Sequence, residues 1–416
     1  MAQWLTMHAE VIAIGDELTG GQRPDTNSQW ISQRLVEAGI DVQRHATVGD
    51  QLEPIVALLR EVAARADLAV ITGGLGPTAD DLTREALAAA AGVQLELDGA
   101  VLAHIEALFQ RRSRKMPERN RLQAMFPQSS RPIPNPHGTA PGIDLTLTGP
   151  GGHSCRFIAL PGVPAELYQM WHETVARLLT SGGERPVVQV RNLKCFGAGE
   201  SEIESRLPDL IQRGRTPTVG ITVHAATITL RITATAVTAA ACRQQLLQAD
   251  RTIRDCLGDL VFGEGEVELQ DVILQMLSQR GETLATAECG TSGRLSHWLS
   301  ELPDAAGIYR GGLVAANDTA RTILEMAREL AKNGAAGCRE QFGADYGLAV
   351  GPIAADDLES TSPGKYFFAL ATAAGVTLWT GRTAGHPAIH KDRAAKQALD
   401  MLRRHLLGDA SHDPHE

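Results

Sequence analysis

The sequence predicts an α/β protein whose first segment forms a doubly wound, mostly parallel sheet. Apolar stretches of strand length alternate there with helical stretches over short connections, the pattern of repeated β-α-β units. Farther along, this alternation gives way to paired strands in which apolar and polar residues alternate, and then returns. Over 416 residues, these changes predict two α/β domains separated by a small α+β domain.

The first predicted domain spans residues 9–176. Its first helix has Trp30, Ile31 and Leu35 on one face and ends at Gly39. The leading elements are strand 10–14, helix 27–38, strand 41–48, helix 52–66 and strand 68–71. Ligands of such sheets lie beyond the carboxyl ends of the strands. The polar strings that follow the first and third strands should therefore meet at one edge.

The middle predicted domain spans residues 183–265. Two strands of alternating polarity and a helix at 239–257 predict a small α+β domain. A glycine-bearing turn, F-G-A-G-E-S at 196–201, precedes another helix. It is interpreted either as a ligand contact or as a simple loop in which Glu200 or Ser201 caps that helix.

The last predicted domain spans residues 267–410 and is again α/β. Its elements are helix 269–279, strand 283–288, turn 289–293, a helix from 294, strands 311–315, 347–350, 366–371 and 376–380, and helix 392–407. The final residues form a polar tail. We see no internal repeat and no low-complexity tract.

Composition excludes several classes of function. A net charge of −10 argues against a general nucleic-acid binder, whose surface would carry a basic face. No run of about 18 uncharged apolar residues is present, and the first residues lack the pattern of a signal peptide, so we expect no membrane association. The cysteines are scattered without a C-x-x-C pair, which favours a reducing cytoplasm over a disulfide framework or a zinc site.

The most informative string is ITGGLGPTADDLTREAL, residues 71–87. An apolar stretch, a glycine-rich turn and a helix start form the local geometry that presents backbone N–H groups to a phosphate. Asp80 and Asp81 lie in the same turn, where a carboxylate would repel that phosphate. The pair therefore predicts a divalent cation between phosphate and protein. The alternative is that one of the two aspartates caps the following helix.

Six ordered strings make the first domain resemble the CinA (competence/damage-inducible protein A) family and its MoaB-like relatives in molybdopterin biosynthesis. They are GDELTGGQRPDTN (15–27), TVGD (47–50), TGGLGPTADDLTREA (72–86), MPERNRLQA (116–124), PNPHGTAPG (134–142) and LPGVPAEL (160–167). The middle segment, with GAGESEIESRL, resembles the family's KH-like domain, and the last segment resembles its nicotinamide-nucleotide amidase domain. The resemblance implies a MoaB-like, molybdopterin-binding-type fold and a homodimer.

For the first domain the resemblance implies metal-dependent hydrolysis of the pyrophosphate bond of ADP-ribose to AMP and ribose 5-phosphate. Such hydrolysis needs charge neutralisation and an activated water, which Mg²⁺, Mn²⁺ or Co²⁺ would supply. We expect Asp16, Asp80 and Asp81 to be catalytic, with Asp80, Asp81 and Glu17 at the metal. The expected substrate contacts are Gly73, Gly74, Gly76, Thr78, Asp25, Asn27, Asn135, Gly138 and Thr139. Asp25 and Asn27 have the alternative role of starting a helix, with Asn27 as the N-cap.

The sequence departs from the family in two places. Leu122 stands where the family carries lysine, although Arg119 and Arg121 remain nearby. In the last domain Cys289 replaces the nucleophilic serine, and Arg321 replaces the general-base lysine. Arginine remains protonated and cannot accept a proton. The family's glycine-rich substrate loop is also altered at 351–357. A thiol at a helix N-terminus has a lowered pKa, which would favour residual chemistry at Cys289. The combined losses nevertheless predict that the amidase activity of the pyridine nucleotide cycle is absent.

Other functions are alternative interpretations of the sequence. MoaB-like domains also occur in proteins that bind molybdopterin and transfer an adenylyl group to it. A non-catalytic nucleotide sensor would keep the fold without the chemistry. Nucleic-acid binding by the KH-like segment is disfavoured, because Glu200 lies where a KH loop clamps a negatively charged backbone.

Overall fold

A computed structural model describes residues 7–149, 151–180, 186–207, 210–212, 214–316, 324–352, 365–382 and 386–408. Its backbone packs as two units. The first extends to Gln189 and includes Thr235–Cys242, and the second comprises Val190–Ala234 and the chain from Arg243 onwards. The middle and last segments of the sequence thus share most of one unit.

The first unit is built on a six-stranded sheet. Its elements are β1 (His8–Ile14), α1 (Asp16–Thr19), α2 (Thr26–Glu37), β2 (Asp41–Val48), α3 (Leu52–Ala63), β3 (Leu68–Thr72), α4 (Thr83–Ala91), β4 (Leu95–Leu97), α5 (Gly99–Arg111), β5 (Met125–Pro127), β6 (Arg131–Ile133), β7 (Gly142–Thr148), β8 (Ser154–Leu160), α6 (Pro164–Met170) and α7 (Ala176–Thr180). The sheet order is β2-β1-β3-β8-β7-β6. The first four strands are parallel, β7 pairs antiparallel with β8, and β6 pairs antiparallel with β7. The predicted mostly parallel sheet is confirmed.

Helices cover both faces of this sheet. Successive residues of the central strands point to opposite sides, so each strand packs against helices on both faces. Ile12 of β1 packs in one core with Ile55 of α3. Val11, its neighbour, packs in the other core with Ile31 of α2. Near-continuous apolar sequence in the central strands is what burial on two faces requires.

The helix predicted at 52–66 ends earlier, at Ala63. The chain must enter the sheet just beyond this point, where the Asp67 amide donates to the His8 carbonyl at 2.9 Å. This contact belongs to the edge of the β1–β3 pairing and fixes an extended backbone. Sheet pairing therefore overrides a helical pattern in the sequence.

The middle segment forms β9 (Val187–Cys195), α8 (Glu200–Arg206), β10 (Thr218–His224), β11 (Thr227–Ala236), α9 (Ala239–Leu257) and β12 (Val261–Glu264). Its sheet order is β10-β11-β9-β12. The two predicted strands pair antiparallel through a two-residue turn, Ala225 and Ala226, which both have positive φ. Gly199 precedes α8 without a side-chain cap, so neither Glu200 nor Ser201 is the cap residue.

The last segment forms α10 (Leu269–Arg280), β13 (Leu284–Glu288), α11 (Arg294–Ser300), β14 (Tyr309–Val314), α12 (Leu324–Phe342), β15 (Tyr346–Val350), β16 (Lys365–Thr372), β17 (Gly375–Arg382) and α13 (His390–Leu407). Its sheet order is β14-β13-β15-β16-β17. The large apolar residues of α10 and α13 pack on one face, and the alanines of α12 pack on the other. Among the described helices, none combines the length and apolar character needed to cross a bilayer.

Candidate active site

A cavity of about 610 Å³ lies in the first unit, where β1, β3 and β8 end. Its position at the carboxyl ends of parallel strands is the usual ligand site of this architecture. The predicted site residues that line it are Glu17, Asp25, Asn27, Gly73, Gly74, Gly76, Asp80, Asp81 and Thr139. The strings that follow β1 and β3 therefore meet at one edge, as their order in the sequence predicts.

The turn after β3 requires glycine at two positions. Gly73 has a φ of 104°, and a Cβ there would lie 2.2 Å from the Ile14 carbonyl oxygen. Gly74 has a φ of 65°, and its Cβ would lie 2.3 Å from the Thr83 hydroxyl. Any other residue would thus face both a disfavoured backbone conformation and a collision. The two glycines let the turn pass directly over the ends of β1 and α4.

Hydrogen bonds inside the turn decide which amides can reach a ligand. The Gly73 amide donates to the Leu160 carbonyl at 3.1 Å, and the Gly76 amide donates to Asp81 at 2.8 Å. These two amides are expected to contact a phosphate, but both already donate to groups inside the protein, so that expectation is wrong for them. In the described part of the chain, the Gly74 and Leu75 amides have no such partner, and both residues line the cavity.

The carboxylate of Asp81 holds the turn in its conformation. Its carboxylate accepts hydrogen bonds from the Gly76 amide, the Thr78 amide at 2.8 Å and the Thr78 hydroxyl. This geometry gives Thr78 a role in ordering the turn. The residue before α4 is Leu82, without a side-chain cap, so the alternative that Asp80 or Asp81 caps the helix is wrong. Asp80, by contrast, is exposed at the cavity wall.

Arg84 lies beneath this turn, and the sequence pattern alone does not identify it as a site residue. It is 1% exposed, and its guanidinium donates to the carbonyls of Leu75 and Gly76. Burial lowers the pKa of Arg84 from its ordinary value. A cation buried under a glycine turn stabilises negative charge above it. The only signal in the sequence is a charged residue in the first helical turn after the glycines.

A second residue missed in the sequence is Asp50, which follows β2. The Asp50 amide donates to the Asp16 carboxylate at 3.0 Å, and the Asp16 amide donates to the Asp50 carboxylate at 2.8 Å. These reciprocal bonds join the segments that follow β1 and β2. Asp50 lines the cavity, whereas Asp16 is outside its wall and positions Asp50. The TVGD string contains a signal for this residue, because its aspartate, Asp50, comes just after the end of a strand.

The pKa of Asp50 is raised, first by partial burial and then by the negative charges of Asp16, Glu17 and Asp80. A raised folded-state pKa favours the fold when the group is protonated, and this contribution is lost as pH rises through that pKa. Asp50→Asn removes the charge and keeps an acceptor for the Asp16 amide. We therefore expect a higher melting temperature than wild type at pH 7, with the difference shrinking toward pH 4.

Circular dichroism melts at the two pH values test this expectation. Glu53→Gln is a suitable control, since it removes an exposed carboxylate at the start of α3. A lower melting temperature for Asp50→Asn at pH 7 would show that its carboxylate is stabilising.

Asn27 joins three segments around the cavity. Its Nδ2 donates to the Thr72 hydroxyl and to the Gly162 carbonyl, each at 2.9 Å. The side chain is buried, and within the described residues its Oδ1 has no hydrogen-bond partner. The interpretation of Asn27 as the helix N-cap is wrong, because Asp25 caps α2 by accepting from the Ser28 amide at 2.9 Å.

Asn135 and Gly138 support the cavity without lining it. The Asn135 amide group donates to Glu166 at 2.7 Å and to the Ala140 carbonyl at 2.9 Å, and its oxygen accepts from the Gly138 amide. A Cβ on Gly138 would lie 2.1 Å from the Glu166 carboxylate. This packed loop places Thr139 in the cavity wall. Leu122, the departure from the family, is exposed on a short 3-10 helix.

The donor set fits a metal ion that is shared with a ligand. Among the described residues, no three carboxylate, histidine or cysteine side chains converge to hold a metal by themselves. Glu17, Asp50 and Asp80 nevertheless bring carboxylate oxygens to the cavity wall. Mg²⁺ is commonly held by one or two carboxylates together with substrate phosphates. The arrangement therefore suits a divalent ion completed by a phosphate-bearing molecule.

Cys289, the predicted variant nucleophile, lies in the second unit. Glu288 fixes the turn after β13 by accepting from the Thr291 hydroxyl, the Leu295 amide and both the amide and hydroxyl of Ser296, at 2.6–3.0 Å. Cys289 is half-buried, and burial raises the pKa of its thiol. Cys289 is not at a helix N-terminus, because α11 begins only at Arg294. The altered positions 317–321 and 353–357 lie outside the described residues.

Three family models match the chain in succession. They are described as "Probable molybdopterin binding domain" over residues 10–181, "Damage-inducible protein CinA KH domain" over 190–263 and "CinA C-terminal domain" over 266–406.

Similar proteins extend over nearly the same length. A CinA-like protein of Thermomicrobium roseum is 38% identical, with 96% of this chain and 97% of that protein covered. A CinA-like protein of Frankia casuarinae is 34% identical, with 97% of each chain covered. A crystal structure of a CinA protein of unknown function from Thermoplasma acidophilum is 34% identical and covers 42% of this chain and 98% of that one, with a TM-score of 0.38. Because identity above 30% extends over nearly the whole length, this chain belongs to the CinA family.

Proposed function

We propose that the first domain hydrolyses the pyrophosphate bond of ADP-ribose, or of a related nucleoside diphosphate compound, with the help of a divalent metal ion. One observation carries the proposal: a single cavity combines the unbonded amides of Gly74 and Leu75 with the carboxylates of Glu17, Asp50 and Asp80. Amides at a glycine turn suit phosphate oxygens. Carboxylates beside them suit a cation and a reacting water.

Different residues of the cavity bind the phosphate, stabilise its charge and accept the proton. The Gly74 and Leu75 amides bind phosphate oxygens, and the buried Arg84 stabilises the negative charge above it. A water oxygen attacks one phosphorus atom, the bridging P–O bond breaks, and the water proton passes to a carboxylate. Asp50 is the group we assign as proton acceptor, because its carboxylate lines the same cavity as the turn that would bind the phosphate.

The substrate's sugar would meet Asn27. Asn27 lines the cavity beside Asp25, and a carboxylate oxygen is an acceptor for a hydroxyl donor. A ribose hydroxyl is such a donor. Asp25, which already caps α2, keeps one carboxylate oxygen for the same wall.

Mg²⁺, Mn²⁺ or Co²⁺ would be held by Glu17 and Asp80 together with the substrate. When bound, the ion neutralises phosphoryl charge and lowers the pKa of a coordinated water. Asp81 keeps its bonds to the turn and so holds the geometry around the ion rather than supplying a free ligand.

The test is product analysis with the purified chain, ADP-ribose and each metal ion. We expect equimolar AMP and ribose 5-phosphate, and no hydrolysis of AMP itself, which has no pyrophosphate bond. Titration with a pterin, followed by its fluorescence, tests the molybdopterin-binding alternative. Pterin quenching without AMP would favour that alternative, and nucleotide binding without products would favour a sensor.

We further propose that the last domain does not deamidate nicotinamide mononucleotide. The half-buried Cys289 has a raised pKa, and Arg321 replaces the lysine that would act as base. Cys289→Ala is therefore expected to leave ammonia release at the level of the wild-type chain, which is background. An enzyme-coupled ammonia assay measures this. Ammonia from wild type that disappears in Cys289→Ala would show that the thiol is an active nucleophile.

A further inference from the structure

A second cavity, of about 170 Å³, lies within the second unit. Its wall is formed by the glycine turn before α8, the β10–β11 hairpin, Trp379 of β17 and one face of α13. The middle segment and the last segment of the chain thus contribute to it together. The glycine turn is the F-G-A-G-E-S motif, which the proposed hydrolysis does not use.

Buried positive charge borders this cavity. Asp400 on α13 is 5% exposed and pairs with two arginines, Arg403 at 2.6 Å and Arg404 at 2.9 Å. Arg403 is also 3% exposed and donates to the Asp259 carbonyl at 2.7 Å. Two guanidinium groups therefore share one carboxylate, which leaves a net positive charge in a setting of low exposure. An uncompensated charge in such a place is costly.

Arg404 carries the available donors. Its Nε donates to Asp400, and within the described residues its terminal nitrogens have no hydrogen-bond partner. The residue lines the cavity with its side chain only 13% exposed. The terminal nitrogens of a guanidinium form a fork that matches a carboxylate or a phosphate.

Gly197 allows the turn to approach this fork. Its φ is 99°, and a Cβ there would lie 3.3 Å from Nη2 of Arg404. The left-handed conformation favours glycine at this position. The turn thus passes over the Arg404 guanidinium at Gly197, which has no side chain to cover the guanidinium.

A second excess of positive charge lies on the hairpin side. Lys194 and Lys396, both under 10% exposed, share the single carboxylate of Glu268, at 3.5 and 2.8 Å. Lys396 also donates to the Thr227 hydroxyl, between two hairpin residues that line the cavity. Glu200 is the other acid in the wall, but it is exposed and its charge is screened by solvent.

Apart from Arg393, Gln397 and His405, the remaining wall is apolar. Phe196 and Met401 are 6% and 7% exposed, and Trp379 is half-buried beside them. Aromatic and thioether surfaces of this kind pack against planar rings. Small-molecule sites commonly combine apolar surface of this kind with polar groups that fix the orientation of the ligand.

We propose that this cavity binds a small organic anion, with a planar ring against Phe196, Trp379 and Met401 and an anionic group on Arg404. The anionic group is a carboxylate or a monophosphate, since both match the fork. The ligand would neutralise the charge left by the Arg403–Asp400–Arg404 cluster. Its binding is independent of the hydrolysis proposed for the first unit.

Isothermal titration calorimetry of the full chain tests the proposal with benzoate, phenyl phosphate and the uncharged benzyl alcohol. At least one anion should bind with a Kd of about 1 mM or tighter, and benzyl alcohol about tenfold more weakly or not at all. The better of the two anions identifies the group. Absence of heat from both anions at 10-fold higher concentration, about 10 mM, would overturn the proposal.

Three variants localise the binding. Arg404→Leu leaves Asp400 paired with Arg403 and should weaken the anion about tenfold, or about 1.4 kcal/mol. Ala198→Trp keeps every charge and should abolish binding by filling the cavity. Arg251→Leu, on an exposed position of α9, should change nothing. Melting curves identify any variant that fails to fold. Equal affinity in wild type, Arg404→Leu and Ala198→Trp would contradict the proposed site.

Discussion

Asp80→Asn is expected to lower kcat/KM for ADP-ribose by on the order of 10²–10³-fold, while the melting temperature stays at the wild-type value. Asp80 is exposed at the cavity wall, so removal of its charge should affect the chemistry and leave the hydrophobic core unchanged. The substitution keeps the shape of the side chain and removes the negative charge that would hold the metal ion. Initial rates of AMP formation at saturating Mn²⁺ measure the effect.

Glu53→Gln is the matched control for Asp80→Asn. It removes one exposed carboxylate of the same unit, away from the cavity, and should leave kcat/KM within about twofold. A value for Asp80→Asn within the same range would remove Asp80 from the metal site. A large loss in both variants would point to the net charge of the unit and not to the cavity.

Gly73→Ala is expected to destabilise the first unit by about 3 kcal/mol or more and to abolish hydrolysis. The residue has a φ of 104°, which an L side chain rarely adopts, and its new Cβ would lie 2.2 Å from a carbonyl oxygen of the central strand β1. A backbone oxygen in a sheet cannot move aside as a flexible side chain can. Urea denaturation measures the free energy of unfolding.

Gly162→Ala tests whether this loss is specific. Gly162 lines the same cavity, but a Cβ there would meet only the Gly73 Cα, at an ordinary distance of 3.6 Å. We expect a change of about 0.5 kcal/mol or less in the free energy of unfolding. Equal destabilisation by both substitutions would show that the turn tolerates no added atom, whatever its backbone conformation.

Much of the fold could be predicted because apolar periodicity reflects burial directly. The strand at 41–48 and the helix at 239–257 have the predicted bounds. The sequence pattern does not predict the helix α5 or the strands β6 and β7. β6 is only three residues long, and such short elements are stabilised by long-range pairing that leaves no periodic signal.

The candidate site was predictable at the level of its segments, because strand ends and a glycine turn are local features. The roles of individual residues depend on partners far away in the sequence. Asn27 donates to Thr72 and Gly162, which are 45 and 135 residues away. Asp50 acquires its raised pKa from burial and from acids after other strands. Such contacts exist only after the sheet has assembled.

The decisive test of metal-dependent hydrolysis is AMP formation from ADP-ribose by the chain after removal of metals with EDTA and dialysis. We expect no AMP without metal, and restoration of equimolar AMP and ribose 5-phosphate when Mg²⁺, Mn²⁺ or Co²⁺ is added. Asp80→Asn should remain inactive under the restored conditions. Metal-independent AMP formation would contradict the metal site, and absence of AMP with all three ions would contradict the proposed hydrolysis.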